Sequence, residues 1–176
     1  ISSYNRLFTT LAMLLSLCGA EAQTPHTLPK LVVNVMIDQL RTDYLEAFSP
    51  IFGERGFQRL MQEGCTYTQA EYPFTRPDRA SATACFHSGA VPYDNGIPSE
   101  QWLDRRSLRP LFCVDDKNFE GIHTDEYSSP VPLSVSTIGD ELKIATEGKG
   151  MVISISPFRD AAILSAGHAA DACFWI

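Results

Sequence analysis

The sequence has 176 residues, enough for about one domain. It is 44% hydrophobic and 20% charged, which supports a core and excludes compositional disorder. Its formal net charge of −7 excludes the usual nucleic-acid binder, which gathers Lys and Arg against phosphates. A site for an anionic substrate must therefore draw positive charge from a local source such as a metal ion or a helix N-terminus.

The first segment, "RLFTTLAMLLSLCGAEAQ", reads as an export signal. Arg6 supplies its positive end, residues 7–17 its apolar centre, and Ala20-Glu21-Ala22 a cleavage motif before Gln23. The apolar centre is too short for a comfortable membrane span. The bulky Leu17 before Cys18 argues against a lipid-attachment site. We therefore expect residues 1–22 to be a signal peptide cleaved after Ala22. The product would be exported, most simply to a bacterial periplasm, with no stable membrane span. Residues 23–30 read as a polar linker in which His26 is solvated, and residues 31–176 as the domain. The start at Ile1 and the apolar ending "ACFWI" read as the ends of a fragment of a longer protein.

"LVVNVMI", residues 31–37, has the apolar, β-branched composition of a strand covered on both faces. "GFQRLMQEG" places Phe57, Leu60 and Met61 on one helical face, with Gly64 at a left-handed C-cap. "CTYTQAEYPF" is strand-like and leads into "TRPDRASATACFHSG", a turn followed by a helix of small residues. "WLDRRSLRPLFCVDD" reads as an irregular surface hairpin, with Asp115 and Asp116 in a solvated turn. "STIGDELKIATEGKG" is an amphipathic helix with a capping-box-like start at Thr137 and Asp140. Ile138, Leu142 and Ala145 line its face, and Gly148 or Gly150 ends it. "MVISIS" is then a buried strand. This alternation specifies an α/β sandwich with a mainly parallel sheet.

Few residues carry chemistry by spacing alone. Asp38 follows the first strand, at the carboxyl end where open α/β sheets hold ligands, and is a candidate metal ligand or helix cap. Cys65, Cys85, Cys113 and Cys173 form no zinc spacing; the compartment permits disulfides, and the alternative is that each is a small buried hydrophobe. His87 reads as core or surface, His123 as a loop residue, and His168 as a turn-stabilising hydrogen-bonder.

The segments "PKLVVNVMIDQLRTDYL", "GFQRLMQEG", "SGAVPYDNGI", "TIGDELKIAT" and "AILSAGHAADACFW", taken in order, resemble the N-terminal third of the alkaline phosphatase superfamily. The resemblance is closest to the branch of type I phosphodiesterases/nucleotide pyrophosphatases and phosphate-irrepressible alkaline phosphatases. It implies an α/β/α sandwich, two zinc ions, and a Thr or Ser nucleophile at a helix N-terminus that is phosphorylated and then hydrolysed. Asp38 matches the metal-ligating Asp of that family, and the nucleophile, Thr75 by its motif, would share the metal. The remaining ligands of the family fall beyond Ile176. Two cations a few ångströms apart would bind a phosphoryl oxygen and stabilise the leaving group.

The family motif T-x-P-x-H-x-S-x-x-T-G begins on Thr75, Pro77 and Ser81, but about four residues, one helical turn, are inserted before Gly89. Counting back from Gly89 without a gap puts the nucleophile position on Arg79, which cannot act as one. Thr75, Ser81 or no residue then holds the role; Thr75, Ser81 and Asp78 are equally good helix caps. The Lys and Arg that clamp phosphate monoesters in the phosphate-irrepressible branch correspond here to Phe158 and Asp160, with Arg159 between them. The phosphate-contacting Asn corresponds to Glu100. Arg159 and Arg79 are candidate substitutes for the clamp.

The leading expectation is an exported, zinc-dependent hydrolase acting on small phosphate mono- or diesters, diesters favoured, with sulfate esters or phospho-group transfer as further options. The alternative is a catalytically degenerate relative that binds a ligand or partner.

Overall fold

The computed structural model describes residues 29–176. The signal peptide, its cleavage site and His26 lie outside the described residues. Residues 33–176 form one compact unit.

A short helix α1 (Thr42–Ala47) is followed by a 3₁₀ turn (Ser49–Ile51), α2 (Phe57–Glu63), α3 (Arg79–Ser88) and α4 (Pro92–Asn95). Two antiparallel pairs come next: β1 (Gln101–Leu103) with β2 (Pro110–Phe112), and β3 (Asp115–Glu120) with β4 (Tyr127–Ser128). The chain then forms α5 (Ile138–Ala145), β5 (Ile153–Ile155), α6 (Arg159–Ala166) and β6 (Ala172–Phe174). β5 and β6 pair in parallel, Ile153 opposite Ala172 and Ile155 opposite Phe174, with α6 as their crossover. This pair is the parallel one of three separate two-stranded sheets among the described residues, the other two being antiparallel.

The core lies where α3 meets α6. Ala80 and Ala84 on α3 and Ile163 and Leu164 on α6 bury together with Ile97, Cys113, Val114 and Leu133. The run Ala80, Ser81, Ala82, Thr83, Ala84 is buried throughout, so the first half of α3 is enclosed rather than amphipathic, while Phe86 near its end is exposed. The small side chains are what allow α6 to approach it.

Two capping boxes fix helix starts. At α3, the Ser81 N–H donates to Asp78 Oδ1 at 2.8 Å and the Asp78 N–H donates to Ser81 Oγ at 3.0 Å. At α5, the Thr137 N–H donates to Asp140 Oδ2 at 2.8 Å and the Asp140 N–H donates to Thr137 Oγ1 at 3.2 Å. The sequence pattern at Thr137 and Asp140 is thus realised. The Ala169 N–H also donates to Asp140 Oδ1 at 2.7 Å. His168 lies 3.3 Å from Asp140 Oδ2 through Nδ1 and 3.0 Å from the Leu133 carbonyl through Nε2, the hydrogen-bonding part expected for it. Gly167 makes this junction possible: its φ is +79°, and a Cβ there would overlap Thr137 Oγ1 and lie 2.7 Å from Asp140 Oδ2.

Several local expectations differ from the structure. Residues 31–37 form no strand and are exposed, because a strand exists only through a ladder partner and the described residues offer none. Residues 65–74 are turns and irregular chain for the same reason. In β5, Ser154 is buried while Ile153 and Ile155 are exposed, since no further layer covers that face of the pair. Leu60 and Met61 of α2 are exposed, and Gly64 is extended at φ −101° rather than left-handed. On α5, Ile138 is exposed and Leu142 half-buried, so this helix is anchored mainly by its polar cap. The hairpin expected after Trp102 is present, but Asp115 and Asp116 begin β3 instead of forming a turn. The four cysteines of the domain are free.

Gly167→Ala is expected to destabilise the protein by about 2 kcal/mol or more, through forced positive φ and the clash with the Thr137–Asp140 box; denaturant unfolding measures it. Burial alone would raise the pKa of Asp78 and Asp140, but their hydrogen bonds outweigh it and both carboxyls lie below their ordinary value. Their contribution to stability is therefore complete above about pH 4 and is lost as pH falls through the lowered folded values. Unfolding midpoints should drop steadily below about pH 4, and less steeply in Asp78→Asn and Asp140→Asn.

Candidate functional site

The segment after residue 37 turns at Gln39, whose φ is +59°, and faces the start of α3 across an open pocket of about 610 Å³. Asp38, Arg41, Tyr72, Asp78, Arg79 and Glu100 are among its lining residues. The structure thus brings together Asp38, Arg79 and Glu100 of the residues the sequence singled out. Neither Thr75, Ser81 nor Arg159 is among the residues lining this pocket.

Ser81 is fully buried. Its hydroxyl donates to Asp78 Oδ1 at 2.6 Å and accepts from the Asp78 N–H, so it is committed to the cap. Thr75 is exposed, three residues before the N-cap and next to Arg76, which turns the chain at φ +55°. It retains a free approach for solvent, but it is not the residue at the helix start.

Arg79 is that residue. Its Nε donates to both oxygens of Asp160, at 3.1 and 3.0 Å, and its Nη2 lies 2.9 Å from Glu100 Oε1. Its guanidinium carbon sits 3.9 Å from the centroid of the Phe158 ring, a cation–π contact. Burial works against the charge of Arg79, but the hydrogen bonds and charges of Asp160 and Glu100 outweigh it and raise its pKa. Asp160 is fully buried and Arg79 Nε its ion-pair partner. The position that an ungapped count from Gly89 gives the nucleophile, and those that the resemblance gives the Asn, the Lys and the Arg, are therefore one interlocked cluster: Arg79, Glu100, Phe158 and Asp160. The Glu100 N–H also donates to Asp78 Oδ2 at 2.7 Å, which ties the helix cap to the same cluster.

Arg159 points elsewhere. It donates to Ser128 Oγ at 3.0 Å, pairs with Asp115 at 3.0 Å and Glu126 at 3.4 Å, and lies 4.4 Å from the Phe112 ring centroid. It holds the two hairpins to the start of α6. His87 is buried and hydrogen-bonds Asn34 through Nδ1 at 3.4 Å; burial lowers its pKa, so it is a neutral core residue.

Sequence reasoning weighed Asp78 only as a cap and missed that it is a wall of the pocket. The signal was present as Asp-x-x-Ser, a capping-box pattern that starts the helix at Arg79 rather than at Thr75.

Among the described residues the donors of a two-zinc site are not complete. Asp78 is committed to backbone N–H groups and Ser81, and Glu100 and Asp160 are paired with Arg79. Cys113, beside them, has its thiol pushed up to about 12 by burial and by the charges of Asp160, Glu100 and Asp78, so it offers no thiolate. Asp38 is the pocket carboxylate with neither an ion-pair nor a side-chain hydrogen-bond partner among the described residues, Asp78 being held by hydrogen bonds and Glu100 by Arg79. Among those residues no three His, Cys, Asp or Glu side chains come together as a metal group. No helix among them is long and apolar enough to cross a membrane.

Comparison with known proteins places this geometry. The family profile described as type I phosphodiesterase / nucleotide pyrophosphatase matches residues 32–175. The alkaline phosphatase PhoV of Synechococcus elongatus is 40% identical over 154 residues, which are 84% of this chain and 27% of that protein. The alkaline phosphatase PafA of Elizabethkingia meningoseptica is 30% identical over 161 residues, 89% of this chain and 30% of PafA. The crystal structure of wild-type PafA superimposes with a TM-score of 0.76 at 29% identity, over 78% of this chain and 27% of that one. The chain thus spans less than a third of the length of these relatives, and its fold is the corresponding part of the alkaline-phosphatase α/β architecture. On the match over residues 32–175, the chain belongs to the type I phosphodiesterase / nucleotide pyrophosphatase family of the alkaline phosphatase superfamily.

Proposed function

We propose that this chain belongs to an exported hydrolase of small phosphate esters whose reacting centre is the pocket between Asp38 and the start of α3. The observation that carries the reading is that the carboxylate following residue 37 and the N-terminal turn of α3 share one cavity. An α-helix N-terminus favours a phosphoryl group through its unpaired N–H donors and its dipole. The family and the two alkaline phosphatase relatives support hydrolysis of a phosphate ester. Export rests on the leader sequence alone.

The covalent route would need Thr75, whose hydroxyl is exposed but does not line the pocket, to reach into it; Ser81 is excluded because its hydroxyl is sealed in the cap. The Thr75 oxygen would form a bond to phosphorus as the ester oxygen leaves with a proton, and water would then release phosphate from Thr75. Zinc, when bound with Asp38 as one ligand, would supply charge stabilisation to the phosphoryl oxygens.

A second reading is favoured by one specific observation. Arg79, at the nucleophile position of the ungapped count, satisfies Glu100 and Asp160, at two of the positions where the resemblance expects phosphate-contacting groups. In that reading the protein binds a ligand or partner without turnover.

Turnover of an aryl phosphate and an aryl phosphodiester by the full-length protein, with zinc added, tests both. Thr75→Ala should lower kcat at least about 100-fold, as loss of a nucleophile does. Ser81→Ala should instead cost about 1 kcal/mol of stability through the cap, with activity retained at temperatures where the fold persists. Absence of turnover, unchanged by either substitution, would leave the binding reading.

A further inference from the structure

We propose that the β1–β2 hairpin is a membrane-docking arm: Leu108 at its turn enters an anionic lipid surface, and Arg105, Arg106 and Arg109 around it hold the lipid phosphates. The inference uses no residue of the pocket and stands apart from the hydrolase reading.

The charge is local and unanswered. The protein is acidic, yet three of its 14 Lys and Arg fall within the five residues 105–109. All three arginines are exposed, and among the described residues none of them forms an ion pair. Asp104 is the one carboxylate of the turn. It accepts from the Arg106 N–H at 3.3 Å, the Ser107 N–H at 3.0 Å and the Ser107 hydroxyl at 2.6 Å, so it is engaged in shaping the chain. Three guanidiniums against one carboxylate leave the turn positive. At physiological ionic strength, charges more than about 8 Å away are largely screened, so the acidity of the whole chain does not cancel a patch of this kind.

The apolar part is the less expected one. Leu108 has φ +54°, a left-handed backbone where a bulky side chain is disfavoured and Gly or Asn is the usual occupant. No packing offsets that strain, because 71% of the residue is exposed. Leu103, on the same hairpin, is 58% exposed. A leucine that is both strained and exposed adds nothing to the fold of the described residues, whereas at a lipid surface its side chain would leave water. The base of the hairpin is firmly seated: Trp102 and Phe112 pack against the core, and Arg159 lies 4.4 Å from the Phe112 ring centroid. A basic rim around an apolar tip suits the boundary where headgroup phosphates meet acyl chains. A convex turn also fits a soft surface better than a folded partner, which would need a matching cavity.

The test floats the full-length protein, made without residues 1–22 so that the leader cannot itself bind lipid, with vesicles of phosphatidylcholine containing phosphatidylglycerol and with vesicles of phosphatidylcholine alone. The wild type should bind the anionic vesicles preferentially, and added salt should weaken that binding. Each arginine beside an anionic surface strengthens binding about fivefold. The triple variant Arg105→Gln/Arg106→Gln/Arg109→Gln should therefore bind about 100-fold more weakly. Leu108→Asn relieves the positive φ, so it should unfold no earlier than the wild type while binding vesicles about 10-fold more weakly. A lowered unfolding midpoint with vesicle binding intact would assign Leu108 to the fold and overturn the wedge. Soluble glycerophosphoglycerol, the headgroup without acyl chains, should fail to displace the protein; displacement would mean a phosphate site only and would overturn the membrane reading. Equal flotation with both vesicle types, or unchanged binding by the triple variant, overturns it too. So does a wild type that binds neither, the result expected if the rest of the chain covers the arm. Turnover of an aryl phosphate, assayed in parallel, should be the same in the wild type and these variants, so the outcome for lipid is read independently of the hydrolase reading.

Discussion

A carboxylate with no access to water must find its charge partner inside the protein, and Asp160 has found Arg79. Much of the local architecture follows from that pairing. Asp160 lies in the first turn of α6 and Arg79 is the first residue of α3, so the pair pins the starts of the two helices together. The small residues of α3 then let the helices close behind it, with Ala80 and Ala84 against Ile163 and Leu164. Removing one partner alone would strand a buried charge, which typically costs about 3–5 kcal/mol. Every buried side-chain nitrogen and oxygen among the described residues has a hydrogen-bond partner, so the polar cluster is closed and not merely crowded.

The same closure decides the electrostatics of the pocket. Asp78 is held by the α3 cap and the Glu100 N–H, and Glu100 by Arg79, which leaves Asp38 facing the cavity. The helix N-terminus remains a source of positive potential, but part of it is already answered by Asp78, the N-cap residue. An acidic protein that handles anions must bring cations to the site. Here both arginines that line the pocket, Arg41 and Arg79, are already matched by carboxylates.

The sequence made the helices and caps legible and the strands much less so. Thr137 with Asp140, and the stretch from residue 79 to the left-handed Gly89, carry local hydrogen-bond patterns that neighbouring residues alone can satisfy. Residues 31–37 have strand composition, but a ladder needs a second segment, and composition cannot supply one. The site was half legible. The ungapped count from Gly89 reached Arg79, and the order of motifs led to Asp38, Glu100 and Asp160. What spacing could not reveal was that three of the residues at these positions neutralise one another, since Arg79 and Asp160 are 81 positions apart. Nor could it choose between hydroxyls: Thr75 and Ser81 are both plausible caps on paper, and only the geometry shows Ser81 taking the N3 position of the box.

The two arginines near the start of α6 show why residue type alone is a poor guide to a phosphate clamp. Arg159 is adjacent to Asp160 in sequence, yet its fork turns away to Asp115, Glu126 and Ser128, over the Phe112 ring. Its planar donors serve to fasten the hairpins between residues 101 and 128 to α6, a structural use of the same bidentate chemistry that elsewhere grips a phosphate. Arg79 turns inward and is matched by Asp160. A dianionic monoester entering the pocket would therefore find neither guanidinium unengaged and would face Glu100 and Asp38. A monoanionic diester carries less charge against those carboxylates and requires less neutralisation. The geometry of the two arginines, more than the count of basic residues, thus decides how little unmatched positive charge these residues offer to the pocket.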